Sequence, residues 1–555
     1  AEYESWIVDH TFDEGQGWAN EPWYQEEMPL SEETVLAAAG RSDAAVVILG
    51  RTAGEDKDSS NLEGSHLLAG AERDMLKAVC EKFEKVAVVL NTGGILDMKW
   101  VEEYRPGAVL YVWQGGQEGG LAVADVLTGK AAPGGRLSDT IAKDIGDYPA
   151  AENFGSESRN LYPEDIYVGY RYFETFAPEK VLYPFGFGLT YTTFDVKHIG
   201  IGVAATEASM EAEVTNTGSR PGRQVVQVYC EAPQGKLGKP ARALCAFGKT
   251  RELAPGETET LSFTVPFARL ASYDDSGATG RKSAWVLEAG EYTFYIGTDV
   301  RSAKKVGSVT LEETVVEQLE EACAPVTAFD RLRPGTSEGG VYTKEYEPAP
   351  LRTVNPMDRR NEKLVKSEGC TGDKGYKLSD VAEGKVTMDE FLAQLTDADL
   401  CCIVRGEGMC SPKVTPGTAG AFGGVTKRLL DFGIPTGCCA DGPSGIRMDC
   451  GTHAFAMPNG TLMACTFDPE LVGELYEYEG LELRKNKVDT LLGPGINIHR
   501  HPLNGRNFEY FSEDPLLTGE MAAAQLLALH KYGVTGTIKH IACNSQEFQR
   551  HDGAA

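Results

Sequence analysis

The sequence predicts a multidomain protein that joins α/β units to an all-β unit, and three patterns carry that expectation. Residues 40 to 140 alternate β-branched apolar runs with an amphipathic helical stretch, residues 195 to 310 switch to a period of two, and a βα alternation returns from residue 386. The 555 residues are several times the ~100–200 of a single domain, so about three globular units are expected.

In the first unit Ala44-Ala-Val-Val-Ile-Leu-Gly50, Val86-Ala-Val-Val-Leu-Asn91 and Ala108-Val-Leu-Tyr-Val-Trp113 read as strands. Between the first two, Leu68, Met75, Leu76, Val79 and Phe83 fall on one helical face. Fully apolar strands alternating with helices predict a parallel sheet covered on both sides. In the second unit Leu261, Phe263 and Val265 alternate with polar residues, as do Tyr292, Phe294 and Ile296. Turn signals recur at Asn216-Thr-Gly218, Pro255-Gly256 and Ala289-Gly290, which together predict an immunoglobulin-like β-sandwich. Residues 311 to 385 carry charged runs and scattered prolines with little periodicity, so they read as a long connection that wraps a neighbour or links domains. In the last unit Leu400-Cys-Cys-Ile-Val404, Gly437-Cys-Cys-Ala440 and Gly536-Thr-Ile-Lys539 are strand candidates ending in polar residues. Polar groups at the C-terminal ends of parallel strands are where a (β/α)8 barrel builds its site. About 170 residues are present against ~250 for a whole barrel, which predicts a partial TIM-like barrel.

Composition narrows the function. A formal charge of −29 argues against nucleic acid, which is bound through clustered Lys and Arg. No stretch approaches the ~18–20 apolar residues of a membrane span. The acidic, aromatic start does not read as a signal peptide. The 13 cysteines, an odd set, read as small buried hydrophobes in a reducing compartment, so a cytoplasmic location is expected. The absence of an initiator methionine leaves a lost leader open. CxxC-type spacing is missing and only His499-x-His501 suggests ligation, so no metal is expected.

The motifs are more specific. Ala440-Asp-Gly-Pro-Ser-Gly-Ile-Arg447, the long run Leu492-Gly-Pro-Gly-Ile-Asn-Ile-His-Arg-His-Pro-Leu-Asn-Gly-Arg-Asn-Phe-Glu-Tyr-Phe-Ser-Glu-Asp-Pro515 and Thr537-Ile-Lys-His-Ile-Ala-Cys-Asn544 resemble, in order and spacing, signatures of glycoside hydrolase family 3. Trp113-Gln-Gly-Gly-Gln-Glu-Gly-Gly120, Gly134-Gly-Arg-Leu137 and Tyr183-Pro-Phe-Gly-Phe-Gly-Leu-Thr-Tyr191 resemble the family's α/β sandwich domain. Residues 195–310 resemble its fibronectin type III-like domain. The resemblance implies four segments: an α/β sandwich over 1–193, a fibronectin type III-like domain over 194–310, a linker over 311–385 and the first part of the barrel over 386–555. It also implies a reversed domain order, with position 1 already inside the sandwich domain. The family's nucleophilic aspartate sits in an SDW or TDW context, and none occurs after residue 386. The nucleophile is therefore expected beyond residue 555, and the chain alone is expected to be inactive.

The resemblance implies a retaining exo-acting β-glucosidase that needs no cofactor and takes a β-glucoside or short oligosaccharide. A β-xylosidase or other family 3 glycosidase, a phosphorolytic member and a non-catalytic carbohydrate-binding subunit stay open, as do a homo-oligomer and a complementing chain. The KHxxxN form argues against the family's β-N-acetylglucosaminidases, which use a His-Asp dyad after the KH pair.

Retention needs two carboxyl groups ~5–5.5 Å apart, one a nucleophile and one an acid/base. The resemblance places the acid/base at Glu55, in Gly50-Arg-Thr-Ala-Gly-Glu-Asp-Lys-Asp58, with Asp56, Asp58 and Glu63 as its rivals. Asp441 would accept from a pair of sugar hydroxyls, since two charged oxygens can serve both, or else it caps the turn before Gly442-Pro443. Arg506 would donate to the same sugar, oriented by Glu509. Lys539 would supply a point charge and His540 a neutral donor or acceptor, unless His540 is a satisfied core histidine. Asn544 reads as a structural ligand of its loop. Arg447, Asp449 and Arg500 are either subsite residues or salt bridges. Trp113 and Trp285 read as buried in their strands rather than as sugar-stacking rings.

Overall fold

Strands Ala44–Gly50, Lys85–Asn91 and Ala108–Tyr111 pair in parallel, in that order, as the first sheet. The protein is seen here as a computed structural model that describes residues 2–10, 21–364, 369–450, 452–541 and 543–550. Helix Gly70–Lys82 lies on one face of that sheet, where Leu76 and Val79 pack with Val47, Leu49, Val88 and Leu90. Leu68 and Phe83 flank the helix rather than belong to it, yet both join the same cluster. The other face departs from expectation. Val46 and Ile48 are 52% and 59% exposed. Side chains alternate across a strand, and helix Gly119–Leu127, which buries no residue, does not cover them.

The second unit is a sandwich of two antiparallel sheets. One holds Phe194–Val203, Glu207–Asn216 and Thr258–Pro266, and the other holds Val225–Glu231, Ala243–Lys249, Gly290–Gly297 and Lys304–Leu311. Phe263, Val265, Tyr292, Phe294 and Ile296 meet in its core, as their alternation requires. Trp285 differs from the burial expected of it. In Ala284–Leu287 its neighbours Ala284 and Val286 point inward, which leaves Trp285 40% exposed beside Tyr273. Trp113 is buried against Tyr111.

The stretch read as aperiodic contains a hairpin, Asp330–Glu338 with Val341–Pro348, turning at Gly339-Gly340 with both φ angles positive. Charge pairs replace the apolar alternation. Arg331 and Arg333 both reach Glu347, at 2.9 and 2.6 Å, so no hydrophobic period marks these strands. The hairpin wraps its neighbour through Leu332, which is buried with Tyr172 and Phe176.

In the last unit Gly420–Gly423 runs antiparallel to Thr436–Asp441, and Thr490–Leu492 and Thr535–Gly536 follow in parallel. Helices Pro469–Lys485 and Pro515–His530 cover this sheet, burying Val472, Tyr476, Leu483, Leu517, Met521 and Leu529. Both begin with an aspartate cap and a proline in the first turn. Asp468 and Asp514 accept from the N–H groups of Leu471 and Leu517 at 3.1 and 2.9 Å. Two strand assignments need correction. Residues 400–404 lie in helix Asp397–Arg405, not a strand. Thr396 and Asp399 close a reciprocal capping box there, and this local hydrogen bonding decides what a short apolar run leaves ambiguous. Regular pairing at 536–539 also stops at Gly536, after which Lys539 makes only an isolated bridge to Gly495.

The units share one core. Tyr170 and Phe185 of the first, Val225 and Tyr229 of the second and Phe467 and Val472 of the last are buried together. Glu513 bolts the first and last units further, accepting from the Thr140 N–H, the Thr140 hydroxyl and the Tyr170 N–H at 2.7–2.9 Å. Burial pushes its carboxyl up to about 8.

Candidate active site

Asp441 is the last residue of strand Thr436–Asp441, so its carboxylate stands at the C-terminal edge of the parallel strands. The chain turns away at once. Gly442 has φ +118°, and a Cβ there would lie 1.9 Å from the Gly445 carbonyl oxygen, so only glycine fits. Asp441 Oδ1 accepts from Lys539 Nζ and from the Gly442 N–H, both at 2.8 Å. Burial works to raise this carboxyl, but the Lys539 ammonium, the Gly442 N–H and nearby Arg506 outweigh it and hold it below its usual range.

Lys539 is seated by its backbone, donating to the Pro494 carbonyl at 3.0 Å and accepting from the Ile496 N–H at 2.7 Å. His540 Nδ1 shares a hydrogen bond of 2.9 Å with the Tyr510 hydroxyl. Burial, then the charges of Arg506, Lys539 and Arg550, push His540 down to about 4, so it is neutral near pH 7. Asn544 donates to Tyr510 Oη at 2.6 Å and to Glu547 Oε1 at 3.2 Å, which is a loop-bracing position.

Arg506 is 4% exposed at the side chain and is gripped by Glu509 through Nε. Burial opposes its charge, and Glu509, Tyr510 and Glu55 more than restore it, so its guanidinium stays protonated. Its Nη1 reaches Glu55 Oε1 at 3.2 Å, across 451 positions of sequence. The structure thus brings Glu55, in the loop after strand Ala44–Gly50, onto the rim where Asp441, Arg506, Lys539 and His540 gather.

Glu55's rivals have partners of their own, and Asp56 shares Arg550 with Glu55. Glu63 is an exposed partner of Arg73 at 2.7 Å. Asp58 spends both carboxylate oxygens on backbone N–H groups of Gly505, Glu547 and Phe548 at 2.9–3.0 Å. Asp56 Oδ1 lies 2.7 Å from Arg550. Arg550 also donates to Glu55 Oε1 at 2.7 Å and lies 3.3 Å from Glu547, whose carboxyl burial raises. Sequence reasoning passed over Arg550 and Glu547. Their signal was available, since both are charged and follow the KHxxxN stretch on the same loop.

Arg500 is no part of this rim. It is an interdomain bolt, pairing with Glu164 at 2.5 Å, bonding Asn160 and Leu161 and lying over Tyr162. Arg447 and Asp449 pair with each other at 2.9 Å. His499 bonds Asp139 at 2.7 Å, His501 stacks on Phe154, and among the described residues no cluster of three His, Cys, Asp or Glu is placed to hold a metal ion.

Known proteins place this arrangement. Residues 17–170 match the glycosyl hydrolase family 3 C-terminal domain, 224–300 a fibronectin type III-like domain and 372–553 the glycosyl hydrolase family 3 N terminal domain. The β-glucosidase A of Butyrivibrio fibrisolvens is 37% identical over 95% of this chain and 70% of its own length. The chain belongs to glycoside hydrolase family 3. Its family domains run in reversed order, the C-terminal type first and the N-terminal type last. A β-glucosidase of Ruminococcus albus is 57% identical over 99% of this family 3 chain. The crystal structure of a Paenibacillus barengoltzii β-glucosidase superposes with a TM-score of 0.97 at 54% identity, covering all of this chain. The chain spans 57% of the length of the first of these and 61% of the second. The β-glucosidase 3B of Thermotoga neapolitana in complex with glucose matches at a TM-score of 0.51 and 36% identity, over 56% of this chain and 44% of that one.

Proposed function

We propose that the protein is a retaining, exo-acting β-glucosidase that releases terminal non-reducing β-D-glucosyl residues from a β-glucoside or short oligosaccharide. The observation that carries this reading is Glu55, delivered from the first unit to Arg506 on a rim that also holds the Asp441–Lys539 pair. The glucose bound by the Thermotoga relative and the names of the two longer matches support the choice of sugar. Asp441 accepts from two hydroxyls of the first-subsite sugar, and Lys539 and Arg506 donate to the same ring. Neutral His540 completes the contacts without adding charge. Glu55 protonates the departing oxygen and later activates water. Retention also needs a second carboxylate as nucleophile, and none of the residues assigned to this rim takes that role. A cytoplasmic location goes with the reading of the 13 cysteines as residues of a reducing compartment, although only Cys230, Cys245, Cys438 and Cys465 are buried as that reading expected.

The test is Glu55→Ala in the full-length enzyme. An acid is needed only where the leaving oxygen is basic, so cellobiose hydrolysis should fall by about 100- to 10,000-fold and a dinitrophenyl glucoside far less. Azide needs no general base, so it should accelerate turnover of the activated substrate and give the β-glucosyl azide, the anomer that reports retention. Equal losses on both substrates with no azide effect would remove Glu55 from the role. Turnover of xylosides in preference to glucosides would move the substrate, not the mechanism.

A further inference from the structure

Glu55 sits on a loop whose own chain gives it no regular secondary structure, so something outside the loop must hold it within hydrogen-bonding reach of a leaving group. Three observations identify what does. Asp58 accepts four contacts from two separate barrel segments. Oδ1 takes the N–H groups of Gly505 at 3.0 Å and Glu547 at 2.9 Å, and Oδ2 those of Glu547 at 3.0 Å and Phe548 at 2.9 Å. The backbone on either side of Asp58 is sewn to the same barrel edge. Gly54 donates to the Gly505 carbonyl at 3.3 Å, Ser59 to the Leu503 carbonyl at 2.7 Å, and Asp56 to Glu547 Oε2 at 2.9 Å. Finally, Gly505 is the point of closest approach. A Cβ there would lie 1.8 Å from the Lys57 carbonyl and 2.7 Å from that of Gly54, so the loop can lie this low only over glycine.

We propose that Asp58 is the positioning residue of this site, stapling the loop that bears Glu55 to the two barrel segments that carry Arg506 and Arg550. The staple works because each tethered segment presents its own arginine to Glu55. Gly505 immediately precedes Arg506, and Glu547 and Phe548 precede Arg550 on one turn of chain. Fixing the two backbones through one carboxylate therefore fixes both guanidiniums and the Glu55 side chain in a single geometry. Asparagine cannot replace it. It offers one acceptor oxygen and turns an NH2 toward backbone donors that need an acceptor. This inference rests on Glu55 being the acid/base.

The test uses the full-length enzyme and compares Asp58→Asn with Glu55→Ala on cellobiose and on a dinitrophenyl glucoside. The quantity read is the ratio of the two losses in kcat/KM, which does not depend on the fraction of protein that is active. A misplacement of about 1 Å costs on the order of 100-fold, so Asp58→Asn should lose about that much on cellobiose and less than about threefold on the activated glucoside. Azide should accelerate the activated substrate in Asp58→Asn as it does in Glu55→Ala. If Glu55→Ala is selective but Asp58→Asn hits both substrates equally or neither, Asp58 is a structural clamp only and the proposal fails while Glu55 keeps its role. If Glu55→Ala is itself unselective, both fall together. Should Asp58→Asn prove insoluble, Asp58→Glu, whose carboxylate is one methylene too long for the same three donors, is read on the same ratio.

Discussion

Asp441→Asn in the full-length enzyme tests the proposed sugar-binding role of the rim with the least change of shape. In the structure Asp441 holds the Lys539 ammonium and the Gly442 N–H at 2.8 Å on the same oxygen, which leaves Oδ2 for the ligand. Hydrogen bonds to a charged group contribute about 1.5–3 kcal/mol each. Loss of charge assistance to two sugar hydroxyls at the lower figure is about 3 kcal/mol, or roughly 150-fold in kcat/KM. The side chains of the pair are 32% and 15% exposed, so the ion pair also contributes to the fold. Lys539→Met and the double variant complete a cycle in which urea midpoints should reveal a coupling above about 0.5 kcal/mol, as expected for residues in contact. The assay is kcat/KM on cellobiose and on an aryl β-glucoside, with circular dichroism and urea melts on each variant. A loss in kcat/KM below about tenfold in a folded Asp441→Asn enzyme, less than about 1.4 kcal/mol, would place Asp441 outside the first subsite. Additive melts would show that the Lys539 contact carries no energy.

The remaining predictions concern the frame around the site. Glu72 binds Arg51 through both oxygens at 2.6 and 2.7 Å, with side chains 1% and 4% exposed, and also accepts from the Ala69 N–H. Glu72→Gln removes the carboxylate that is hydrogen-bonded to buried Arg51 and should destabilise this unit by about 3–5 kcal/mol, read from the fluorescence of buried Trp100 in urea; a change below about 1 kcal/mol contradicts this. Burial, helped by Arg500 and His66, pushes His501 down to about 3, whereas an unfolded imidazole titrates near ~6.5. Between those values only the unfolded chain takes the proton, so the stability present above pH ~6.5 is lost as pH falls toward 3. His501→Phe keeps the stack on Phe154 and should flatten the loss of urea stability between about pH 7 and pH 5. Parallel profiles for the two proteins would refute the assignment.

Much of this protein is written locally. The strand Ala44–Gly50 was legible to the residue because an unbroken apolar run with a β-branched centre ends at a glycine, and the paired apolar alternations at 261–265 and 292–296 placed the sandwich core. The family was legible too, because its long motifs are backbone-and-site requirements concentrated in short spans of chain. Local reading failed where two local signals competed, as at 400–404, where a capping box overrode an apolar run, or where charge pairs stood in for apolar period, as in the hairpin around Gly339-Gly340.

The sequence by itself thus determined the units, their order and a set of candidate residues. Only the tertiary structure decided which of them meet. The partners of Glu55, Asp56 and Asp58 lie 447 to 495 positions away, whereas Glu63 pairs with nearby Arg73. Arg500, which the sequence left open as a subsite residue or a salt bridge, faces Glu164 and not the rim. The physical reason is that secondary structure follows from hydrogen bonds and apolar spacing within a few residues. A site between units is set by buried ion pairs and close backbone approaches, such as Gly505 against Lys57, which have no period and leave no trace in the neighbouring sequence.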